Sequence, residues 1–149
     1  MDRDEYDVEY PKHIGILGAR LHIGHSRDSG EVTAFFVQLE YQLENDSAAG
    51  EAGEWVEVVR SDHHSTSAGG HDVRCEGVHL DVYRDGEKDH TEQLTGPIPQ
   101  VDVAFDVAEE QITDDAEQYI NRFKQWHRNR NPNRDQRDGF GRRNGPSES

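Results

Sequence analysis

The sequence predicts an α+β fold, in which an antiparallel sheet of about five strands carries one long C-terminal helix on one face. Two patterns predict it. Between residues 33 and 43 apolar and polar residues alternate, which is the period of a strand with one buried face, and the apolar positions are Phe35, Val37, Leu39, Tyr41 and Leu43. Between about residues 103 and 127 apolar residues recur at spacings of three to five, which indicates an amphipathic helix.

The predicted strands are close enough along the chain to be antiparallel neighbours. Five are expected, at about residues 13–24, 33–43, 55–60, 78–83 and 87–94. Asp85-Gly86 is a two-residue hairpin signal between the last two strands, because glycine readily adopts positive φ. The fifth strand is polar, so we expect it at the edge of the sheet.

The pattern indicates one domain, residues 12–127, between two disordered ends. Residues 1–11 are acidic and read as a lead-in. The helix could be broken near Thr113. Residues 128–149 hold six arginines among Asn, Gly and Pro and carry a net charge of +3, whereas the preceding part of the chain carries −18.

The composition points to a small cytoplasmic protein that works in high salt. The 149 residues carry a net charge of −15, with 13 Arg and only 3 Lys, and an acidic, Lys-poor surface is typical of halophilic proteins. An ordinary acidic protein is the alternative. The single cysteine, Cys75, excludes an internal disulfide. Neither a signal peptide nor a membrane span is evident, so no membrane partner is expected.

The first candidate site lies on the predicted fourth strand. If Val78, Leu80 and Val82 face the helix, then His79, Asp81 and Tyr83 stand on the opposite face, successive side chains ~7 Å apart. Imidazole, carboxylate and phenol together suit general acid–base catalysis. The alternative is a solvated outer strand face without chemistry.

The second candidate site follows the third strand, where polar residues run into a Ser- and Gly-rich loop. Arg60 could hold a substrate phosphate through paired N–H donors. Asp62 and His71 could act with it, His71 as an acid or base. The alternative is a polar surface loop.

A metal site is the third possibility for the same region. His63, His64, His71, His79 and Asp81 could supply the three protein ligands of a catalytic zinc. The chain has no His-Glu-x-x-His spacing, phosphate-binding glycine loop or Gly-x-Ser-x-Gly elbow. We therefore predict no metal and no cofactor, and keep a metal-dependent hydrolase as an alternative.

The arginine-rich tail is similar to RNA-contacting arms, in which arginine binds phosphate and stacks on bases. The alternative is a tail that only aids solubility. High salt weakens phosphate contacts, so stacking would have to carry much of such binding.

Residues 58–62 (Val-Val-Arg-Ser-Asp), the strand with His79 and the closing helix through Tyr119 and Phe123 resemble the TumE-like toxins of toxin–antitoxin modules. Residues 70–73 and 82–88 resemble uncharacterised haloarchaeal relatives of these toxins. The resemblance covers about residues 30–127. It departs from the pattern at Ser61, where the family has an aromatic residue, and in a longer loop before His71.

The resemblance implies a growth-inhibiting toxin that acts on RNA and has a cognate antitoxin protein. It carries over to Arg60 and Asp62 as functional residues. Cleavage at a ribose 2′-OH would use His71 or His79 as base, the other histidine or Tyr83 as acid, and Arg60 at the phosphate. A binding module without catalysis is the main alternative.

Overall fold

The computed structural model describes residues 6–43, 53–64 and 72–129. The strands are β1 Val8–Lys12, β2 Ala19–Asp28, β3 Glu31–Gln42, β4 Trp55–His63, β5 His79–Arg84 and β6 Glu87–Gln93, and the helices are α1 Val73–Glu76, α2 Val101–Asp114 and α3 Ala116–Asn129. The six strands form one antiparallel sheet, and their order in the sheet is their order in the chain. The predicted α+β class is confirmed.

The sheet has six strands where about five were expected. The predicted strand over residues 13–24 begins only at Ala19, and residues 13–18 instead form a connection in which Gly15 and Gly18 adopt positive φ. The extra strand is β1, so part of the 1–11 segment predicted to be disordered is paired with β2. Every β1 residue is exposed, so no alternation in the sequence indicates this edge strand.

The single long helix predicted at the C-terminus is two helices, α2 and α3. They meet at Asp115, whose backbone N–H bonds to the Gln111 and Thr113 carbonyls and whose side chain accepts a hydrogen bond from Gln111 Nε2 at 2.6 Å. The break falls close to Thr113, where the sequence had indicated that the helix could be broken. It gives the C-terminal layer two segments that can tilt independently over a twisted sheet.

The hydrophobic core lies between the helices and one face of the sheet. Phe35, at the centre of β3, is fully buried and stacks on Phe105 of α2, with the ring centroids 4.9 Å apart. The predicted alternation therefore correctly identifies the core face of this strand. The other main members of the hydrophobic core are Leu21, Ile23, Val37, Leu39, Leu80, Val82, Ile112, Ile120 and Phe123. Each fully buried side chain of this kind contributes roughly 1.5–3 kcal/mol.

The opposite face of β3 is buried as well, although no described helix covers it. Phe36, Gln38 and Glu40 are 4%, 8% and 7% exposed. The sequence predicted a strand that is buried on one face only, and this expectation was wrong. Long side chains from β2 and β4 lie across the polar residues of β3, which an alternation pattern does not reveal.

Candidate functional site on the helix-free face of the sheet

The strand register aligns polar residues in a row across the helix-free face. Arg60 on β4 pairs with Gln38 on β3 and with Asp81 on β5, and Asp81 pairs in turn with Thr91 on β6. Because side chains alternate along a strand, Asp62 also faces the same side as Arg60. The described residues of the two candidate sites, which were predicted from separate stretches, therefore belong to one surface.

Arg60 is held at the centre of this face by three contacts. Its guanidinium carbon lies 4.3 Å from the centroid of the Phe36 ring. Its Nε donates to Asp62 Oδ2 at 3.4 Å, and its Nη1 donates to Gln38 Oε1 at 3.2 Å. The Phe36 ring in turn crosses β2 at Gly24, where a Cβ atom would lie 2.3 Å from the ring. Glycine at this position is required for the close approach of the ring.

A second arginine repeats the arrangement. The guanidinium carbon of Arg20 lies 3.9 Å from the centroid of the Trp55 ring, and its Nε donates to Glu40 Oε1 at 2.8 Å. Glu40 Oε2 accepts a hydrogen bond from Gln38 Nε2 at 2.7 Å. Because Gln38 also accepts from Arg60, one continuous polar network joins the two stacked arginines.

Asp81 and Tyr83 form the β5 side of the site. Asp81 is 6% exposed and its Oδ1 accepts a hydrogen bond from the Thr91 hydroxyl at 2.9 Å. Burial raises the pKa of the Tyr83 phenol, and the Asp81 carboxylate raises it further, whereas Arg60 opposes the shift. Tyr83 is therefore a protonated hydrogen-bond donor at neutral pH.

Asp62 has one oxygen that is left without a partner. Its Oδ2 accepts from Arg60, whereas Oδ1 is buried and has no hydrogen-bond partner among the described residues. Unmatched buried acceptors are rare and costly in proteins, and they call for a specific explanation. A ligand with an N–H donor is one such explanation.

Of the two histidines expected to act here, the structure describes His79 alone. His79 lies on the same strand as Asp81, and its Nδ1 is 3.2 Å from the Gly77 carbonyl oxygen, so this nitrogen carries the proton. His71 lies outside the described residues, as do residues 1–5 and the tail from residue 130 onward. The described part of the site therefore combines Arg60 and Asp62 with His79, Asp81 and Tyr83, which alternate with the core residues Leu80 and Val82 along β5.

Sequence reasoning missed the β2 and β3 contribution to this surface. One usable signal was the position of Gln38 and Glu40, two long polar residues in the middle of the most apolar strand. Acidic groups outnumber basic ones on the assembled face. Among the described residues, Arg20, His22, Arg60 and Lys88 are set against Glu9, Glu40, Glu57, Asp62 and Asp81.

No group of three or more His, Cys, Asp or Glu side chains within residues 6–43, 53–64 and 72–129 is arranged to hold a metal ion. Over the same residues, no helix is both long enough and apolar enough to cross a membrane.

Comparison with known proteins gives one match. A family model, a domain of unknown function designated DUF7718, matches residues 1–129. Searches of curated proteins and of solved structures find no match.

Proposed function

We propose that this chain, which belongs to the DUF7718 family, is a small toxin-like protein that binds single-stranded RNA on the helix-free face of its sheet. In this proposal Arg60 and Arg20 stack on bases, and the neighbouring carboxylates accept hydrogen bonds from base N–H groups. The resemblance to TumE-like toxins suggests RNA as the target. The observation that carries the proposal is the pair of guanidinium groups stacked on aromatic rings of one face.

Stacked arginines suit unpaired bases. A guanidinium that rests on a ring has its orientation set before a ligand arrives, so little conformational entropy is lost on binding. RNA-binding proteins stack unpaired bases on aromatic rings and on Arg guanidinium planes. The Arg60 and Arg20 side chains are 25% and 30% exposed, which leaves part of each available for contact.

The carboxylates suit base edges better than phosphates. Asp and Glu accept hydrogen bonds from exocyclic amino groups of bases, and Asp62 Oδ1 has no partner within the described residues. A phosphate at Arg60 would lie close to Asp62 and would be repelled by it. The proposal therefore gives Arg60 a stacking role where the sequence alone suggested a phosphate clamp.

This mode of binding has a measurable signature. Affinity that depends on phosphate contacts falls steeply with salt, because counterions are released on binding. Base stacking and hydrogen bonds to base edges should give a shallow dependence, so that binding persists in molar salt. The slope of log affinity against log salt thus separates the two modes.

The test is fluorescence anisotropy with a short single-stranded RNA of mixed sequence, measured from low to molar KCl. Arg60→Ala should weaken binding roughly 5- to 150-fold, which corresponds to the ~1–3 kcal/mol of a lost stacking contact. Arg27→Ala is the matched control, since Arg27 is also a strand arginine and, within the described residues, the one acceptor of its guanidinium is the Gly30 carbonyl oxygen. Absence of RNA binding by the wild type, or equal weakening by both substitutions, would contradict the proposal.

RNA cleavage is the second candidate function, favoured by the closeness of Asp81, Tyr83 and Arg60. In the expected reaction a histidine takes the proton of the 2′-OH, the 2′-oxygen attacks the phosphorus, and an acid protonates the leaving 5′-oxygen. Inducible expression in a halophilic host should then arrest growth and degrade total RNA. The double variant His71→Ala/His79→Ala should do neither, and full activity in that variant would exclude this assignment.

A further inference from the structure

A cavity of about 610 Å³ lies apart from the polar network, at the end of the sheet where α2 begins. It lies where β3 starts, β4 ends and the loop before α2 passes by. His63, the last residue of β4, lines it, although its neighbour Asp62 belongs to the helix-free face. The volume is within the range of small-molecule sites, roughly 300–1,000 Å³.

His63 is 1% exposed and is one of the residues that line this cavity. Its Nδ1 accepts a hydrogen bond from the Val73 backbone N–H at 3.0 Å. That bond requires the proton of the neutral ring to be on Nε2. Burial lowers the pKa of His63, which favours this neutral form. No partner of Nε2 is found among the described residues.

The first turn of α2 supplies further donors on the cavity wall. Gln100 is the N-cap residue and its side chain makes no capping hydrogen bond. The N–H groups of the first helical residues have no acceptor inside the helix, and Val101, Asp102 and Val103 all line the cavity. Anions are stabilised at such helix starts.

The charges on the wall limit the ligand. Arg74 is positive, but its guanidinium already forms two hydrogen bonds with Asp72, at 3.1 and 3.2 Å. Glu31 and Asp102 are negative, and Asp102 Oδ1 accepts a hydrogen bond from the Val32 N–H at 2.9 Å. A multiply charged anion would meet these two carboxylates, whereas a singly charged one with an apolar body suits the mixed lining.

We propose that this cavity binds a small organic monocarboxylate. The carboxylate accepts hydrogen bonds from His63 Nε2–H and from the first-turn N–H groups of α2, and Val32, Pro99 and Val103 surround its apolar part. The site does not depend on the proposed RNA-binding face, because the two use different faces of the sheet.

The experiment is an NMR titration of the full-length protein with hexanoate, followed through the amide resonances of residues 101–103 and the ring nitrogens of His63. Hexylamine and inorganic phosphate are the comparison probes. Hexanoate should give saturable shifts at both places, and neither comparison probe should. Saturation by hexylamine, saturation by phosphate, or no saturable shift with hexanoate would overturn the proposal.

Two variants remove one donor each. Val101→Pro deletes one N–H at the first helical position, where proline is tolerated, and the extended backbone of Gln100 is compatible with a following proline. His63→Asn retains an acceptor near Nδ1 and removes the Nε2 donor. Each should weaken hexanoate binding about tenfold, as expected for a lost hydrogen bond to a charged group. Val107→Ala, on the same helix but not in the cavity lining, is the control and should bind like the wild type. Unchanged binding by Val101→Pro would overturn the assignment.

Discussion

The two faces of β3 are buried to nearly the same extent but by different means. Phe35, Val37 and Leu39 are buried against helices. Phe36, Gln38 and Glu40 are instead buried under Tyr6 and under side chains of the neighbouring strands. On the helix-covered face burial itself is stabilising. On the helix-free face each polar atom must find a partner for burial to be tolerated. We conclude that the first face provides stability and the second provides a specific arrangement of groups.

The largest expected effect is on the apolar face. Phe35→Ala removes a fully buried ring that stacks on Phe105, and should lower the free energy of unfolding by about 3–5 kcal/mol. Chemical denaturation followed by circular dichroism measures it. Val103→Ala, at a helix position that is 44% exposed, is the control and should change stability by less than about 0.5 kcal/mol. A loss at Phe35 no larger than the control would show that this face is not the main source of stability.

The next effect is on the polar face. Glu40→Ala leaves Arg20 and Gln38 without their acceptor, and should destabilise the fold by about 2–3 kcal/mol. Arg20→Ala/Glu40→Ala should cost less than the sum of the two single substitutions, because both remove the same ion pair. A double-mutant cycle in chemical denaturation measures this coupling. Strict additivity would mean that the network does not act as a unit.

A smaller effect is expected where β2 and β3 touch. Gly24→Ala places a methyl group against the Phe36 ring and should cost about 1–2 kcal/mol in stability. The displaced ring would carry Arg60 with it, so RNA affinity should fall although Arg60 remains present. Gly24→Ala/Phe36→Leu restores space and should recover stability but not the stack. Unchanged RNA affinity in Gly24→Ala would show that Arg60 does not need the Phe36 ring in its present position to bind RNA.

The smallest effects concern pH, and two histidines should act in opposite directions. The pKa of His63 is lowered by burial, so its contribution to stability is lost as pH falls below the unfolded value of about 6.5. The pKa of His90 is raised, mainly by hydrogen bonds to Glu92 and Asp89, so its contribution is present below about 6.5 and is lost as pH rises through the raised value.

Stability measured from pH 5 to 8 in His63→Asn and His90→Gln tests this pair. Relative to the wild type, His90→Gln should be less stable below about pH 6.5. His63→Asn should no longer show the loss of stability that protonation of His63 causes below about pH 6.5. NMR titration of the two rings gives the pKa values directly. A His63 pKa above that of His90 would contradict the prediction.

The core face of the fold was readable from the sequence, but the contribution of β2 and β3 to the site was not. The alternation of apolar and polar residues between Phe35 and Leu39 identifies the helix-covered face, because each apolar side chain there is buried without needing a specific partner. The burial of Gln38 and Glu40 depends on Arg20 and Arg60, and strand register brings these together from separate stretches. β1 was missed because its residues are all exposed, and only backbone pairing with β2 marks it as a strand.

The candidate site could likewise be predicted from the sequence only in part. Arg60, Asp62, Asp81 and Tyr83 were singled out from local patterns, and the register of β4 with β5 supplies the reason why they share a surface. The tautomer of His63 and its place in a cavity could not be predicted, because the first is set by Val73 and the second by α2. The predicted role of His71 concerns a residue outside the described part of the chain and stays a prediction.

The strands follow one another in the sheet in the same order as in the chain, and this order affects how the protein folds during synthesis. Each strand finds its partner in the segment synthesised just before it, so the sheet can assemble hairpin by hairpin as the chain leaves the ribosome. The helices that cover Phe35 and its neighbours come last. During synthesis the growing sheet would therefore present an uncovered apolar face until α2 and α3 emerge, and this interval is when the nascent chain is most exposed to aggregation and to chaperones.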